Sequence, residues 1–163
     1  MSLPQEKLYT TADIYDLPDG HRAELIDGQI YYMTPPTRRH QRFVSKLNQS
    51  IANYIDSHNG CCEVYPAPFA VICDPNKLTD RGCKGAPDWI IEIVSPSSRR
   101  MDYLTKLLKY SSSGVREYWI VDPDKKQIIV YNFVNDDMTP YTFADSVKVG
   151  IYEDLVIDFA EIT

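Results

Sequence analysis

Residues 88–94 (DWIIEIV) constrain the fold of this chain more than any other part of its sequence. Pro87 precedes this run, Ser95 and Pro96 follow it, and five of its seven residues are apolar. A short, nearly continuous apolar run between strand-breaking residues is typical of a β-strand that is buried on both faces. Such a strand needs a covering layer on each side of its sheet. The sequence therefore predicts a mixed α/β (α+β) fold in which helices pack on a central mixed sheet.

Two long helices are predicted from apolar residues that recur at helical spacing. The first begins after the N-cap Thr37, and the second begins at Ser97 or Ser98 and ends at Gly114. The first helix is expected to bury Phe43, Val44, Leu47, Ile51, Tyr54 and Ile55. The second helix is expected to bury Met101, Leu104, Leu107 and Leu108. These helices supply the covering layers that the buried strand requires.

Additional β-hairpins are predicted before and after the buried strand. Asp27 and Gly28 form the tight turn of the first hairpin, which places Glu24 on a strand. The second hairpin joins strands at residues 118–121 and 127–131. Further strands are predicted at residues 62–65 and 69–73. The chain thus predicts a helix between two strands in its centre, with hairpins on each side.

Length and composition fit one globular domain that spans residues 1–163. The chain has 44% hydrophobic and 25% charged residues, which is typical of a compact soluble protein. No apolar run approaches the length of about 20 residues that a membrane-spanning helix needs, and the N-terminus lacks a signal pattern. We therefore expect a cytoplasmic protein with no membrane partner.

The four cysteines give no sign of a zinc site. They are Cys61, Cys62, Cys73 and Cys83. They contain no C-x-x-C pair, and no histidine follows them at zinc-finger spacing. We expect reduced, structural thiols.

The net charge of −6 argues against binding of nucleic acid through an overall positive potential. A nucleic-acid role then depends on local basic patches. The candidate nucleic-acid-binding residues are Arg38, Arg39, Arg42 and Lys46, all in the first predicted helix. Arg99 and Arg100 form a second basic pair. A solvated helix face explains such charges as well as a binding role does.

Glu92 is the residue of the buried strand that most needs an explanation. An ionised carboxylate inside a sheet costs several kcal/mol unless it is paired or bound to a metal. Alternation places Asp88 on the same face of the strand, and Lys106 lies in the helix that follows. Carboxylates with one lysine fit an oxygen-ligand site for Mg²⁺ or Mn²⁺, with Glu92 and Asp88 as the metal ligands. A buried ion pair between Glu92 and a lysine is the structural alternative.

Lys106 and His40 are the candidate catalytic residues outside the strands. In a metal site, Lys106 would hold the attacking water or stabilise negative charge on a phosphate in the transition state. Its alternative is an ordinary exposed lysine. His40 would orient a phosphate or transfer a proton near neutral pH. A hydrogen-bonded histidine beside the core explains His40 equally.

Several segments in order resemble the Uma-type family, a restriction-endonuclease-like branch of the PD-(D/E)XK nuclease superfamily. The matching segments are ELIDG at 24–28, Pro35-Pro36 followed by His40, PDWIIEIVSPS at 87–97, Lys106 with Tyr110, and GVREYWIVDP at 114–123. The resemblance implies a restriction-endonuclease-like core, a divalent metal and DNA or another nucleic acid as substrate. It also implies an acid at Glu92 and a catalytic lysine at Lys106. Together with the candidates above, the predicted catalytic residues are Glu92, Lys106, Asp88, Glu24 and His40. The superfamily's lysine is displaced here from the position of Val94 to Lys106.

One departure from the family concerns the first metal-binding aspartate. Family members usually carry a separate Pro-Asp strand before the glutamate strand, whereas here Ala70 runs directly into Val71. Either the aspartate is lost, with Asp88 or Asp74 as a substitute, or a segment is missing from the sequence. Asp88 is only four residues from Glu92, closer than the superfamily's usual acid pair.

Three functions follow as expectations. The first is a metal-dependent endonuclease that hydrolyses phosphodiester bonds in DNA. The second is a non-catalytic nucleic-acid-binding or assembly module with a decayed nuclease site, and the third is a structural domain in which Glu92 pairs with Lys106. By analogy with dimeric nucleases of this fold, a homodimer is one expected assembly.

Overall fold

The computed structural model describes residues 7–66, 69–80 and 82–162 of the chain. Contacts between Cα atoms divide it into two compact units, Met1–Pro36 and Thr37–Thr163, which are described separately. The expectation of one domain over residues 1–163 stays a prediction. No helix in the described residues is long and apolar enough to cross a membrane.

The first unit contains a short helix and a two-stranded hairpin. Helix α1 is Thr11–Tyr15, and strands β1 (Ala23–Ile26) and β2 (Gln29–Tyr32) pair antiparallel. The turn residues Asp27 and Gly28 have φ angles of 51° and 73°, a left-handed conformation that glycine and aspartate tolerate best. The predicted hairpin is thus confirmed, and Glu24 lies on β1 opposite Tyr31.

The second unit is built on a mixed sheet, which has six strands in the described residues. These strands are β3 (Glu63–Tyr65), β4 (Phe69–Ile72), β7 (Trp89–Ile93), β8 (Glu117–Asp122), β9 (Gln127–Asn132) and β10 (Asp137–Thr142). Their order across the sheet is β10-β9-β8-β7-β4-β3. Strands β7 and β8 run parallel, and the other neighbouring pairs run antiparallel. The small hairpins are β5 (Leu78–Thr79) with β6 (Gly82–Cys83), after a 3₁₀ turn at Pro75–Lys77, and β11 (Ser146–Lys148) with β12 (Val156–Asp158).

Helices cover both faces of this sheet, as the buried strand requires. The helical segments are α2 (Arg38–Ser57), a π-helical segment (Met101–Lys106), α3 (Leu107–Ser113) and α4 (Phe159–Ile162). The face with Trp89 and Ile91 shares a core with α2, and the opposite face with Ile90 and Tyr118 packs against α3 residues such as Leu107. All five residues of β7 are buried. The prediction of a strand buried on both faces is confirmed.

The orientation predicted for the second long helix is partly wrong. Leu104 and Leu108, both expected inside, are 56% and 70% exposed. The cause is the π-helical segment, whose wider turns shift every later side chain relative to an α-helix. Asp102 and Lys106 therefore face the sheet in place of the leucines.

The expectation of reduced cysteines is also wrong for one pair. Cys62 and Cys73 form a disulfide, with their Cα atoms 3.9 Å apart, whereas Cys61 and Cys83 are free thiols. The two bonded residues directly extend the antiparallel pair formed by Glu63 and Ile72. Strand pairing, which sequence spacing does not reveal, brings them together.

Glu117 is a fully buried acid on the α2 face of β8, and it gives a pH-dependent prediction. Its Oε1 accepts a hydrogen bond from Trp119 Nε1 at 2.5 Å. Burial raises the pKa of Glu117, while the hydrogen bonds from Trp119 and from the Gly150 and Ile151 amides lower it by less. A carboxyl group whose folded pKa is raised stabilises the protein below its ordinary pKa, and this contribution is lost as pH rises through the folded value.

We expect the free energy of unfolding of the wild type, relative to Glu117→Gln, to fall as the pH rises above the ordinary pKa of a glutamate. Urea unfolding of both proteins at several pH values measures this difference. A difference that stays constant with pH would contradict the assignment of a raised pKa to Glu117.

Candidate active site

Glu92 lies in the middle of β7, and its side chain points toward the π-helical segment and α3. Lys106 Nζ donates a hydrogen bond to Glu92 Oε1 at 3.0 Å. Both side chains are almost completely buried, with 6% of the Lys106 side chain and 11% of the Glu92 side chain exposed. The predicted proximity of Glu92 and Lys106 is therefore present in the structure, and Lys106 is not an exposed lysine.

Asp102 is a second carboxylate in contact with Lys106, and the sequence reasoning missed it. Its Oδ1 lies 3.2 Å from Lys106 Nζ, and the residue is 1% exposed. Ser98 Oγ donates a hydrogen bond to Asp102 Oδ2 at 2.6 Å. The spacing of four residues between Asp102 and Lys106 on a helix was the available signal.

Two tyrosines complete the hydrogen bonding around these charges. Tyr110 donates to Glu92 Oε1 at 3.1 Å, and Tyr118 donates to the carbonyl oxygen of Asp102 at 2.9 Å. Burial raises the pKa of Tyr118, and the nearby carboxylates of Glu92 and Asp102 raise it further. The Tyr118 hydroxyl can therefore act as a neutral donor. We call Glu92, Asp102, Lys106 and Tyr110 the Glu92 cluster.

The π-helical segment explains why three side chains of the cluster share one face. In an α-helix, residues four apart are offset by about 40° around the axis, so Asp102, Lys106 and Tyr110 would rotate step by step away from a common face. A π-helical turn contains more residues than an α-helical turn and cancels part of this drift. π-Helical turns are rare and frequently mark functional sites.

The geometry of the cluster is compatible with two of the predicted functions. If no metal ion or substrate enters the site, Lys106 forms structural ion pairs with the buried carboxylates of Glu92 and Asp102. The same arrangement also suits catalysis, because acids and a lysine held rigidly in a low-dielectric site interact strongly with added charge. The geometry alone does not distinguish a structural ion pair from a catalytic site, so the protein family of the chain is the next observation.

Asp88, predicted as a metal ligand, is not brought to Glu92. Its carboxylate accepts a hydrogen bond from the Cys73 amide at 3.0 Å and pairs with Arg116 at 3.4 Å. The four strand positions between Asp88 and Glu92 correspond to about 13 Å, which is too far for two ligands of one Mg²⁺. Asp74, the other proposed substitute, accepts hydrogen bonds from Asn76 and caps the 3₁₀ turn.

Glu24 and His40 are the remaining predicted catalytic residues. Glu24 belongs to the hairpin of the first unit. His40 lies in the first turn of α2, where its amide donates to Thr37 Oγ1 at 3.2 Å. Helix α2 packs on the sheet face opposite Glu92. The catalytic roles of Glu24 and His40 stay predictions.

The basic residues of α2 divide into two groups. Arg38, Arg42 and Lys46 are exposed on the helix surface. Arg39 instead reaches the turn after β8, where Nη2 donates to the carbonyl oxygen of Pro123 at 2.5 Å and Nη1 lies 3.6 Å from Asp124. Their binding of nucleic acid stays a prediction.

A family model matches residues 11–157 of the chain, which include the Glu92 cluster and the first hairpin. Its description is Uma2, "Putative restriction endonuclease". The chain belongs to the Uma2 family. This confirms the resemblance that the segments around Glu92, Lys106 and Tyr110 indicated.

Two known proteins are similar to this chain. A crystal structure from Anabaena variabilis, described as "a putative nuclease belonging to DUF820", has a TM-score of 0.76 and 19% identity, and the match covers 94% of this chain and 96% of that one. This similarity shows a shared mixed α+β fold. The uncharacterized protein slr1290 of Synechocystis sp. is 27% identical over 130 residues, which cover 70% of this chain and 67% of that protein. Family and fold together support a nuclease.

Proposed function

We propose that this Uma2 protein is a metal-dependent endonuclease that hydrolyses phosphodiester bonds in DNA, with the Glu92 cluster as its active site. The observation that carries the proposal is the contact of Lys106 with Glu92, within a family described as restriction endonucleases. The nuclease-like fold supports the reaction class, and the substrate and the metal are the proposed parts.

The donor set of the cluster fits Mg²⁺ or Mn²⁺. In the part of the chain that the structure describes, no group of three or more His, Cys, Asp or Glu side chains is placed to hold a metal. Mg²⁺ does not need such a group, because it keeps several waters and often binds through one or two carboxylates plus substrate phosphate. Glu92 Oε1 lies 3.0 Å and Asp102 Oδ1 lies 3.2 Å from Lys106 Nζ, so both carboxylates belong to one site beside the ammonium group. They are the residues that would hold the ion.

Bound there, the ion would favour ionisation of a water molecule and neutralise charge on the scissile phosphate. In the hydrolysis, a water oxygen bonds to phosphorus, the bond to one ester oxygen breaks, and a phosphate monoester and an alcohol form. Lys106 would donate a hydrogen bond to a phosphate oxygen as negative charge develops on it. Tyr110 and Ser98 would hold the Glu92 and Asp102 carboxylates in position.

The remaining predicted residues receive roles outside the cluster. Arg38, Arg42 and Lys46 would contact DNA phosphates, and His40 would orient the substrate. Asp88 is not a metal ligand in this proposal, because its carboxylate already contacts the Cys73 amide and Arg116. A homodimer that cuts two strands stays a prediction.

Cleavage of supercoiled plasmid DNA tests the proposal. We expect nicked and linear products with Mg²⁺ or Mn²⁺ and none with EDTA, while RNA of matched length is left intact. The alternative is a non-catalytic nucleic-acid-binding or assembly module with a decayed site, which the absence of the Pro-Asp segment from the sequence favours. Salt-dependent DNA binding with no cleavage under any metal condition would replace the endonuclease by that module.

A further inference from the structure

Three cationic side chains from separate parts of the chain meet at the turn between β8 and β9. Arg39 comes from α2, Arg99 precedes the π-helical segment, and Lys125 lies in the turn itself. Arg99 Nη2 lies 3.1 Å from Asp124 Oδ2, and Arg39 Nη1 lies 3.6 Å from Asp124 Oδ1. Lys125 Nζ lies 4.9 Å from the centre of the Tyr103 ring beside them. One carboxylate, that of Asp124, thus touches two guanidinium groups.

The two aspartates of this turn differ in what they do. Asp122 is fully buried and accepts hydrogen bonds from Tyr103 and from the amides of Asp124 and Lys125, so it builds the turn. The side chain of Asp124 is 51% exposed, and its carboxylate contacts the two arginines. Ion pairs between exposed side chains are weak, so a better anion can displace Asp124.

The two arginines are placed for an external ligand. The side chains of Arg39 and Arg99 are 51% and 34% exposed, so solvent reaches both. Guanidinium groups bind phosphate through paired, charge-assisted hydrogen bonds, which a carboxylate imitates. Arg99 Nη2 also lies 3.3 Å from the buried Asp122, which holds the guanidinium group in place. Three cationic side chains against the carboxylates of Asp122 and Asp124 leave a local positive charge, which favours an anionic ligand.

We propose that Arg39 and Arg99 form a binding site for a backbone phosphate of nucleic acid, and that Asp124 occupies this site as an internal competitor in the free protein. The choice of nucleic acid as the ligand rests on the proposed nuclease function. Ile120 lies opposite Glu92 in register, and Asp122 lies two residues further, about 7 Å along the strand. The Arg39–Arg99 site therefore lies close enough to the Glu92 cluster for one nucleic-acid strand to reach both within a few nucleotides.

The substitution Asp124→Asn tests the proposal, because it removes the competitor and keeps the shape of the turn. Binding of a fluorescent DNA duplex is measured by anisotropy in EDTA, so that cleavage does not interfere. The matched control is Asp136→Asn, the same change of charge in the turn between β9 and β10. We expect Asp124→Asn to bind about threefold to tenfold more tightly than this control. The slope of the logarithm of the DNA-binding constant against the logarithm of salt concentration should become steeper by the amount expected for about one additional phosphate contact.

Removal of the arginines gives the opposite expectation. Arg99→Ala and Arg39→Ala should weaken DNA binding, and each should abolish the gain from Asp124→Asn when combined with it. Lysine at either position should restore only part of the affinity, since it lacks the guanidinium fork. Circular dichroism and thermal unfolding confirm that each variant is folded.

Two outcomes overturn the proposal. If Asp124→Asn binds DNA no more tightly than Asp136→Asn, Asp124 only stabilises the turn and does not compete with DNA phosphate. If Asp124→Asn increases stabilisation by inorganic phosphate at constant ionic strength but leaves DNA affinity unchanged, the site takes small phosphates and not nucleic acid. Failure of the endonuclease proposal would give a different result. If Asp124→Asn binds DNA more tightly but no variant cleaves DNA, the phosphate-binding site is supported and the endonuclease is not.

Discussion

Lys106→Met is expected to lower the free energy of unfolding by about 3–5 kcal/mol, because the change leaves buried carboxylates without their cation. Glu92 and Asp102 each place an oxygen at 3.0–3.2 Å from Lys106 Nζ, and methionine has nearly the same length but no charge. DNA cleavage is expected to be lost as well. Urea unfolding measures the stability, and Lys109→Met, at an exposed position of α3, is the matched control.

A double variant shows whether the effect comes from charge. In Glu92→Gln with Lys106→Met, one of the two carboxylates is neutral, so this protein should be more stable than Lys106→Met alone. The difference from additivity gives the coupling energy of Glu92 and Lys106, expected at about 1–3 kcal/mol. Additive losses, or a Lys106→Met protein as stable as the Lys109→Met control, would contradict a charged, buried cluster.

Asp122→Ala is expected to have the second-largest effect, a loss of about 3 kcal/mol in the free energy of unfolding. Alanine removes the acceptor for the amides of Asp124 and Lys125, each at 3.1 Å, and for the Tyr103 hydroxyl at 3.0 Å. The ion pair of Asp122 with Arg99 is lost too. Burial, and then the hydrogen bond to Asp122, raise the pKa of Tyr103 to about 12.

The control for this change is Asp122→Asn, which keeps one oxygen to accept from the turn amides. It should lose clearly less stability than Asp122→Ala, and the pKa of Tyr103, followed by its ultraviolet absorbance, should fall in both variants. Equal stability of Asp122→Ala and the wild type would show that the hydrogen bonds of this turn contribute little.

Much of the fold was predictable because local patterns determine it. The apolar run around Glu92 indicated a strand covered on both faces, and Asp27-Gly28 indicated a hairpin whose turn has the expected left-handed angles. Thr37 caps α2 and Gly114, with φ 95°, ends α3, both at the predicted positions. These signals act within a few residues of the chain, so sequence alone carries them.

The parts that were missed depend on spatial arrangement. The π-helical segment inserts extra residues per turn without a composition signal, and it turns Asp102 inward and Leu104 outward. The disulfide between Cys62 and Cys73 depends on the register of β3 and β4. Strand alternation placed Asp88 on the face of Glu92, but distance along the strand and the partners of Asp88 separate the two carboxylates.

The central claim is that the Glu92 cluster is a nuclease active site and not only a buried ion pair. Glu92→Gln distinguishes the two, because glutamine can still accept the hydrogen bonds from Lys106 and Tyr110 while losing the negative charge. The deciding measurement is the single-turnover rate of duplex DNA cleavage in Mn²⁺ by wild type and Glu92→Gln, at matched folded fractions. The account predicts a loss of about a hundredfold to ten-thousandfold. Equal rates for the two proteins, or no metal-dependent cleavage by the wild type, would contradict it.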